Sequence, residues 1–411
     1  MQKLVLALLL FAVTLPAQQN RLLAISIDGL DHRWLRDADA LGVKIPTLRR
    51  LMREGARADG VVGVVPTVTW PSHTTMVTGA PSWEHGIVSN DQPGKPGQRW
   101  WYASFLKSKT LWDLAGEKGL KTAAVWWPVT TGAKIDFNLP EFWDDAAVKP
   151  YAFAPVARHS TPGLVEKIRG RYPAFGQDFS DAEKALGARA ILEAEQPELM
   201  LLHLGDLDTA QHETGAFSQH SKEILEQQDA LLAQLLEALP AQSYVVITSD
   251  HGFETQQRVL RPAVLLKEAG IEGTVEIADG LIGSADAAVA SYLRSLIGKA
   301  ETPIAREVPI AEVHAMAPAL KHWSAAFETA AGTLPARGSD GPALGKGNQR
   351  GYHGLWPTRA DYRASFVIWG PGIRPQALPE ISMLDIAPTF ADLLGLPLSA
   401  VAGKSWWDRL K

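Results

Sequence analysis

The sequence predicts an α/β protein: a doubly wound, mostly parallel central sheet covered by helices on both faces, with a smaller inserted cap region. Short apolar runs at Leu22–Ile27, Val61–Val65, Thr122–Trp127, Leu199–Leu204, Tyr244–Thr248 and Ser365–Trp369 have the length and unbroken hydrophobicity of strands buried on both faces. Between them lie stretches with helical spacing. Leu48, Leu51 and Met52 form one stripe, Leu111, Leu114 and Ala115 another, and Ile224, Leu225, Leu231, Leu232, Leu235 and Leu236 a third; a closing helix is expected over Ile386–Leu394. The alternation fades between Phe253 and Tyr352, where Gly and Pro gather in Pro335–Gly347. Residues 18–252 and 353–411 are therefore expected to form the main domain. Residues 253–352 read as a cap packed over one end of the sheet, its Gly-rich end serving as a mobile lid.

The chain has 411 residues, 46% hydrophobic and 21% charged, which suits a sizeable buried core and excludes a disordered or fibrous protein. A formal charge of −5 and a pI near 6.1 give no electrostatic footprint for a nucleic-acid duplex, so any phosphate recognition must be local. At the N-terminus, Met1-Gln2-Lys3 precedes an apolar stretch from Leu4 to Pro16 and then Ala17. One positive charge, a short apolar core and a small residue predict a signal peptide over 1–17, too short for a stable membrane span, and hence a periplasmic or secreted protein. A retained anchor or a buried N-terminal strand are the alternatives. No cysteine is present, which excludes disulfides, lipid attachment through a thiol and thiolate metal sites. Metals would have to be held by Asp, Glu and His.

Open α/β sheets place their sites at the carboxyl ends of the strands. Leu22–Ile27 is followed by Asp28, Leu199–Leu204 by Asp206 and Asp208, and Tyr244–Thr248 by Asp250 with His251 beside it. One such aspartate alone would be a helix cap. Several on one rim repel each other at neutral pH unless cations sit between them. Asp208 and His212 stand at i and i+4, on one side of a helical turn, as a shared metal requires. His353 lies between Gly351 and Gly354, where the backbone can approach closely, although a lone histidine there reads as well as a surface residue. Thr69 falls at or just before a helix start marked by Pro71. Local sequence leaves open whether it meets an anion at the free amides or merely caps the helix.

Taken together, Ile27-Asp28-Gly29, Thr69-Trp70-Pro71-Ser72-His73, Thr78-Gly79, His85-Gly86-Ile87-Val88-Ser89-Asn90, Asp208-x-x-x-His212, Asp250-His251-Gly252 and His353-Gly354 resemble the alkaline phosphatase superfamily, and within it the nucleotide pyrophosphatase/phosphodiesterase branch. The blocks occur in the family's order across almost the whole mature chain. The resemblance implies an alkaline phosphatase-like fold and two Zn2+ ions, one surrounded by Asp28, Thr69, Asp250 and His251, the other held by Asp208, His212 and His353. It implies that Thr69 is the nucleophile of a phospho-threonine intermediate and that Asn90 binds a non-bridging phosphate oxygen. His73 and His85 read as structural. Oxygen and nitrogen ligands suit zinc, and manganese and iron accept the same donors.

The substrate is expected to be a small phosphate ester. The nucleotide-hydrolysing branch carries a base-stacking tyrosine five residues before the first ligand of the second metal, whereas this chain has His203. His203 and Trp70 are the candidate substrate contacts, and a packed strand-end histidine is an equal reading of His203. Threonine-dependent monoesterases of the superfamily add a Lys-x-Arg pair that the region Lys121–Thr131 lacks, which favours diesters or nucleotide pyrophosphate bonds. The competing readings are a monoesterase, a phosphonoacetate-type hydrolase, and an extracytoplasmic binding protein on an inactive esterase scaffold. A sulfatase of the cysteine-dependent kind is excluded. The sequence carries no signal for the oligomeric state.

Overall fold

Strand β1 (Arg21–Ile27) occupies the middle of an eight-stranded sheet in the computed structural model, which describes residues 19–143, 153–299, 301–399 and 401–411. The other strands are β2 (Ala56–Ala58), β3 (Thr122–Val125), β4 (Phe137–Leu139), β5 (Leu199–Leu204), β6 (Ser243–Thr248), β7 (Phe366–Trp369) and β8 (Gln376–Leu378), in the spatial order β8-β2-β7-β6-β1-β5-β3-β4. β1 is parallel to β5 and β6, and β5–β3–β4 continue in parallel; β7 runs antiparallel to both neighbours. The sheet is thus mostly parallel, as expected. The segment read as a signal peptide lies outside the described residues.

Alternate side chains of β1 enter different cores, because strand side chains point to opposite faces. Leu23, Ile25 and Ile27 pack with Trp34, Leu48, Ile191, Leu225 and Leu232. Leu22 and Ala24 pack with Met76, Leu111, Trp112 and Phe390. Burying a large aliphatic or aromatic side chain contributes about 1.5–3 kcal/mol, so the helical stripes hold the layers on both faces. The stripes become helices Pro46–Glu54, Leu111–Glu117, Gln219–Glu237 and Ile386–Leu394.

One expected sheet strand is displaced. Of Val61–Val65 only Val61–Val62 is extended, and it pairs with Ile381–Ser382 outside the main sheet. Three sheet strands escaped the sequence reading because β2, β4 and β8 are each three residues long, too short for a periodic signal.

Within 253–352, the strands Glu276–Ala278, Leu281–Ser284, Ala325–Thr329 and Ile304–Val308 form an antiparallel sheet in that spatial order. Leu260, Leu266, Ile282, Val289, Leu293 and Phe327 give it a core of its own. In the Gly-rich stretch, Thr333–Pro335 and Leu344–Lys346 are strands flanking Arg258–Leu260, with irregular backbone over 336–343 between them. Among the described residues no helix is long and apolar enough to cross a membrane.

Candidate metal centre and active-site cleft

Because β1, β5 and β6 are parallel neighbours, their carboxyl ends form one rim, and the expected aspartates meet there. Asp28 follows β1 directly, its amide donating to the Leu204 carbonyl at 2.8 Å. β5 leads through Gly205 into helix α1 (Asp206–Thr214), whose first turns carry Asp208 and His212. Beyond β6 come Asp250 and His251, both essentially inaccessible. The Gly29 amide donates to Asp250 Oδ1 at 3.0 Å. Gly29 sits at φ +66°, and a Cβ there would lie 2.9 Å from the Phe253 ring, so this turn admits only glycine.

His353 arrives from the other side of the chain. In the short strand Gly351–Tyr352, a Cβ on Gly351 would stand 2.3 Å from the Gln211 carbonyl, so glycine lets the strand press against α1 and bring His353 to His212. Ligand atoms of Asp208, His212 and His353 lie within 4.8 Å of one another, and so do those of Asp28, Asp208 and His251. Asp208 therefore faces both groups, where the family pattern gives it to one metal. Asp250 Oδ2 lies 3.1 Å from His251 Nε2.

The polar atoms turned inward lack partners. Asp28 Oδ1, Asp208 Oδ1, Asp250 Oδ2 and His251 Nε2 are buried without a hydrogen bond. Such orphans cost roughly 1–3 kcal/mol each, more when charged. Meanwhile the outer ring nitrogens are anchored on backbone carbonyls: His212 Nδ1 on Gly351 at 3.0 Å, His251 Nδ1 on Gly252 at 3.2 Å, His353 Nδ1 on Thr67 at 3.3 Å. Anchoring through Nδ1 presents Nε2 to the cluster, the arrangement that orients metal-binding histidines.

The electrostatics have the same origin. Burial, then the charges of Asp250 and Asp208, push the Asp28 carboxyl well above its ordinary range. Burial also raises Asp208. Burial acts against the charge of His251, yet Asp250, Asp28 and Asp208 together lift it to about 9. Carboxylates crowded this way are relieved by a cation among them.

Thr69 opens helix α2 (Thr69–Thr78) and lines a cleft of about 590 Å³ together with Asp28, Trp70, Asn90, Asp208 and His353. Asn90 Oδ1 accepts the Trp70 amide at 3.1 Å, which leaves the Asn90 NH2 as the donor available for a ligand. His73 is buried behind Thr69, its Nδ1 on the Thr69 carbonyl at 2.8 Å. His85 is buried too, contacting Thr75 and the Ile87 amide, a structural arrangement.

Residues 22–335 match the family model described as Type I phosphodiesterase / nucleotide pyrophosphatase. The chain belongs to this family. It lies within the alkaline phosphatase superfamily. Among curated relatives, ectonucleotide pyrophosphatase/phosphodiesterase family member 7 of Rattus norvegicus is 26% identical over 58% of this chain and 51% of its own length. The venom phosphodiesterase of Naja atra is 25% identical over 57% of this chain and 26% of its own. The chain thus spans about half the length of the former relative and about a quarter of the latter. Murine ectonucleotide pyrophosphatase/phosphodiesterase 5 has a similar fold, with a TM-score of 0.63 at 20% identity over 96% of this chain and 100% of that one. An inactive variant of that mouse protein, solved in complex with AMP, gives 0.62 at 19% identity, again over 96% and 100%.

Against the family pattern, His203 lines the cleft but is only 3% exposed. Its Nε2 faces Asp28 Oδ2 at 3.0 Å and its Nδ1 faces the Trp126 carbonyl at 3.2 Å, so both ring nitrogens are engaged within the protein and only the ring itself is turned to the cleft. Burial opposes the imidazole's charge, but Asp28 and Glu141 outweigh it and lift the group to about 10. The sequence reading passed over Glu141, Trp143, Phe179, Lys184 and Arg99, which line the same cleft. Glu141 stands two residues past β4; had that strand been recognised, the rule about strand ends would have flagged it. No described residue of 253–352 lines the cleft.

Proposed function

We propose that the protein is a two-zinc phosphodiesterase that cleaves phosphate diesters or nucleotide pyrophosphate bonds through a phospho-threonine intermediate. The observation that carries this reading is the placement of Thr69, at a helix N-terminus, on the wall of the cleft that collects Asp28, Asp208 and His353. The orphaned carboxylate and imidazole atoms fit a pair of divalent cations, with Asp28, Asp250 and His251 beside one, His212 and His353 beside the other, and Asp208 facing both. The chemistry such ions supply is a lowered pKa for the Thr69 hydroxyl and stabilisation of charge on the departing oxygen.

The chain's own groups do the rest. Thr69 Oγ1 attacks phosphorus, the bond to the leaving oxygen breaks, and the phosphoryl group rests on Thr69 until water displaces it. The Asn90 NH2 holds a non-bridging oxygen, and Trp70 supplies an apolar wall beside the nucleophile. Among the described residues, the Lys and Arg side chains on the cleft wall are already engaged, Arg99 with Asp91 at 3.0 Å and Lys184 with Asp181 at 2.8 Å. That supports the diester over the more highly charged monoester. The AMP complex of the similar mouse protein makes a nucleotide one substrate to try. The N-terminal segment adds the proposal of export.

Metal analysis, with side-by-side rates on an aryl phosphate diester, an aryl monoester and a nucleotide, tests the reading. Two zinc equivalents and a preference for diester or nucleotide are expected. Faster monoester turnover would overturn the diester reading, and a protein that binds one ester tightly without turning it over would instead be a binding protein.

A further inference from the structure

We infer that His203 is a positioning residue that sets the Asp28 carboxylate for one metal only, and that Glu141 completes the device from the far side of the ring. The inference rests on the metal-centre reading above. His203 Nε2 lies 3.0 Å from Asp28 Oδ2, and to a metal-held Asp28, a carboxylate that can only accept, it donates. That contact occupies one carboxylate oxygen and leaves Oδ1 as the free one. Oδ1 is buried, unpartnered and 3.4 Å from His251 Nε2. Without the histidine, Asp28 could rotate and present either oxygen.

The ring is itself held. Nδ1 faces the Trp126 carbonyl at 3.2 Å and Glu141 Oε2 at 3.8 Å, and the His73 ring packs against it at 4.4 Å. Glu141 Oε2 is buried with no hydrogen-bond partner, and the imidazole 3.8 Å away is a group that can answer its charge. The chain of contacts runs along the carboxyl edge of the sheet through adjacent strands: Glu141 beyond β4, Trp126 just past β3, His203 within β5, Asp28 at the end of β1. It touches neither His212 nor His353, whose rings rest on Gly351 and Thr67. Its effect should therefore be confined to the metal beside Asp28 and His251.

The test is zinc occupancy of the purified full chain, dialysed against a series of buffered free-zinc concentrations and read by mass spectrometry, with melting of the chelated protein as a control. Wild type should hold two equivalents. In His203→Ala one equivalent should keep its affinity while the other weakens about 10- to 100-fold, the usual effect of removing a group that orients a ligand. His203→Gln, which keeps an N–H donor near Asp28, should recover most of that loss, and Glu141→Gln should weaken the same site severalfold. Unchanged affinity in His203→Ala, or an equal loss at both positions, overturns the inference while leaving the metal centre standing. Wild type without bound zinc overturns the metal-centre reading itself. Should His203→Ala fail to fold, Glu141→Gln decides, and unaltered zinc binding there overturns the inference.

Discussion

The imidazole rings of His251 and His353 lie face to face, 3.7 Å between centroids and 7° between planes. Charge on both stacked rings at that distance is disfavoured by their mutual repulsion. Burial first, then the charges of His251 and His212, hold His353 well below the ordinary histidine range. A neutral His353 keeps its Nε2 lone pair available as a ligand.

Chelation should therefore destabilise the fold. Removing cations leaves Asp28, Asp208 and Asp250 crowded with unpartnered oxygens. At free zinc of 1,000 times Kd, binding contributes about 4 kcal/mol, so a chelator should lower the melting temperature and added zinc restore it. An unchanged melting curve would contradict the metal centre.

Thr69→Ala should cut diester turnover by about 10³-fold or more, as loss of a nucleophile does, with zinc content and melting temperature near wild type. Thr69→Ser should retain part of the activity. Full activity in the alanine variant would rule out the covalent route.

Asn90 accepts the Trp70 amide through Oδ1, and its NH2 is the donor proposed to meet phosphate. Asn90→Asp keeps the acceptor and loses the donor. Both Asn90→Asp and Asn90→Ala should lower kcat/KM by about 10²–10³-fold, the range for one donor to a developing oxyanion. An aspartate variant as active as wild type would assign Asn90 a structural role.

Gly351→Ala forces a methyl into the Gln211 carbonyl. Overpacking of this kind costs about 1–3 kcal/mol, and here it should also push His353 away from His212. Denaturant midpoints and zinc affinity should fall together; a loss of stability with unaltered zinc affinity would separate the two.

The pair Asp181–Lys184, whose lysine is on the cleft wall but outside the ligand cluster, gives a pH signature of its own. Burial opposes both charges, yet Lys184 and the bonds from Gln228 and the Asp206 amide hold Asp181 below its ordinary value, while Asp181 and Asp206 hold Lys184 above its own. A lowered carboxyl contributes stability above about pH 4 and loses it as pH falls through the folded pKa; a raised amine contributes below about pH 10 and loses it as pH rises through the folded pKa. The pair therefore stabilises the fold between those limits. Lys184→Met should cost about 3 kcal/mol at pH 7, because Asp181 remains buried, and most of that difference should disappear in acid unfolding measurements. A pH-independent difference would count against the pair.

The strand-end aspartates were legible because β1, β5 and β6 are long apolar runs, each followed by a turn that brings a carboxylate to one rim. The closing helix could be read for the same reason, its buried stripe spanning Ile386–Leu394. His353 was not visible from its surroundings and came only with the ordered motifs; its position depends on the Gly351–Gln211 contact, which sequence does not display. His203 could not be assigned because its partners Asp28, Trp126 and Glu141 come from other strands, one of them too short to recognise. The reversed direction of β7 carries no hydropathy signal either.

Glu254, three residues past His251, accepts from Arg359 at 3.0 Å, from the Tyr352 hydroxyl at 3.1 Å and from the Gly332 amide at 2.8 Å, while Arg359 also donates to the Thr329 carbonyl at 2.7 Å. This knot ties the loop of His251 to the strand that delivers His353 and to the inserted sheet. A protease nick in the exposed turn at Gly338–Gly341 would therefore leave two fragments joined by this knot as well as by β7, β8 and the Ile386–Leu394 helix, and the clipped protein would migrate and melt as one body.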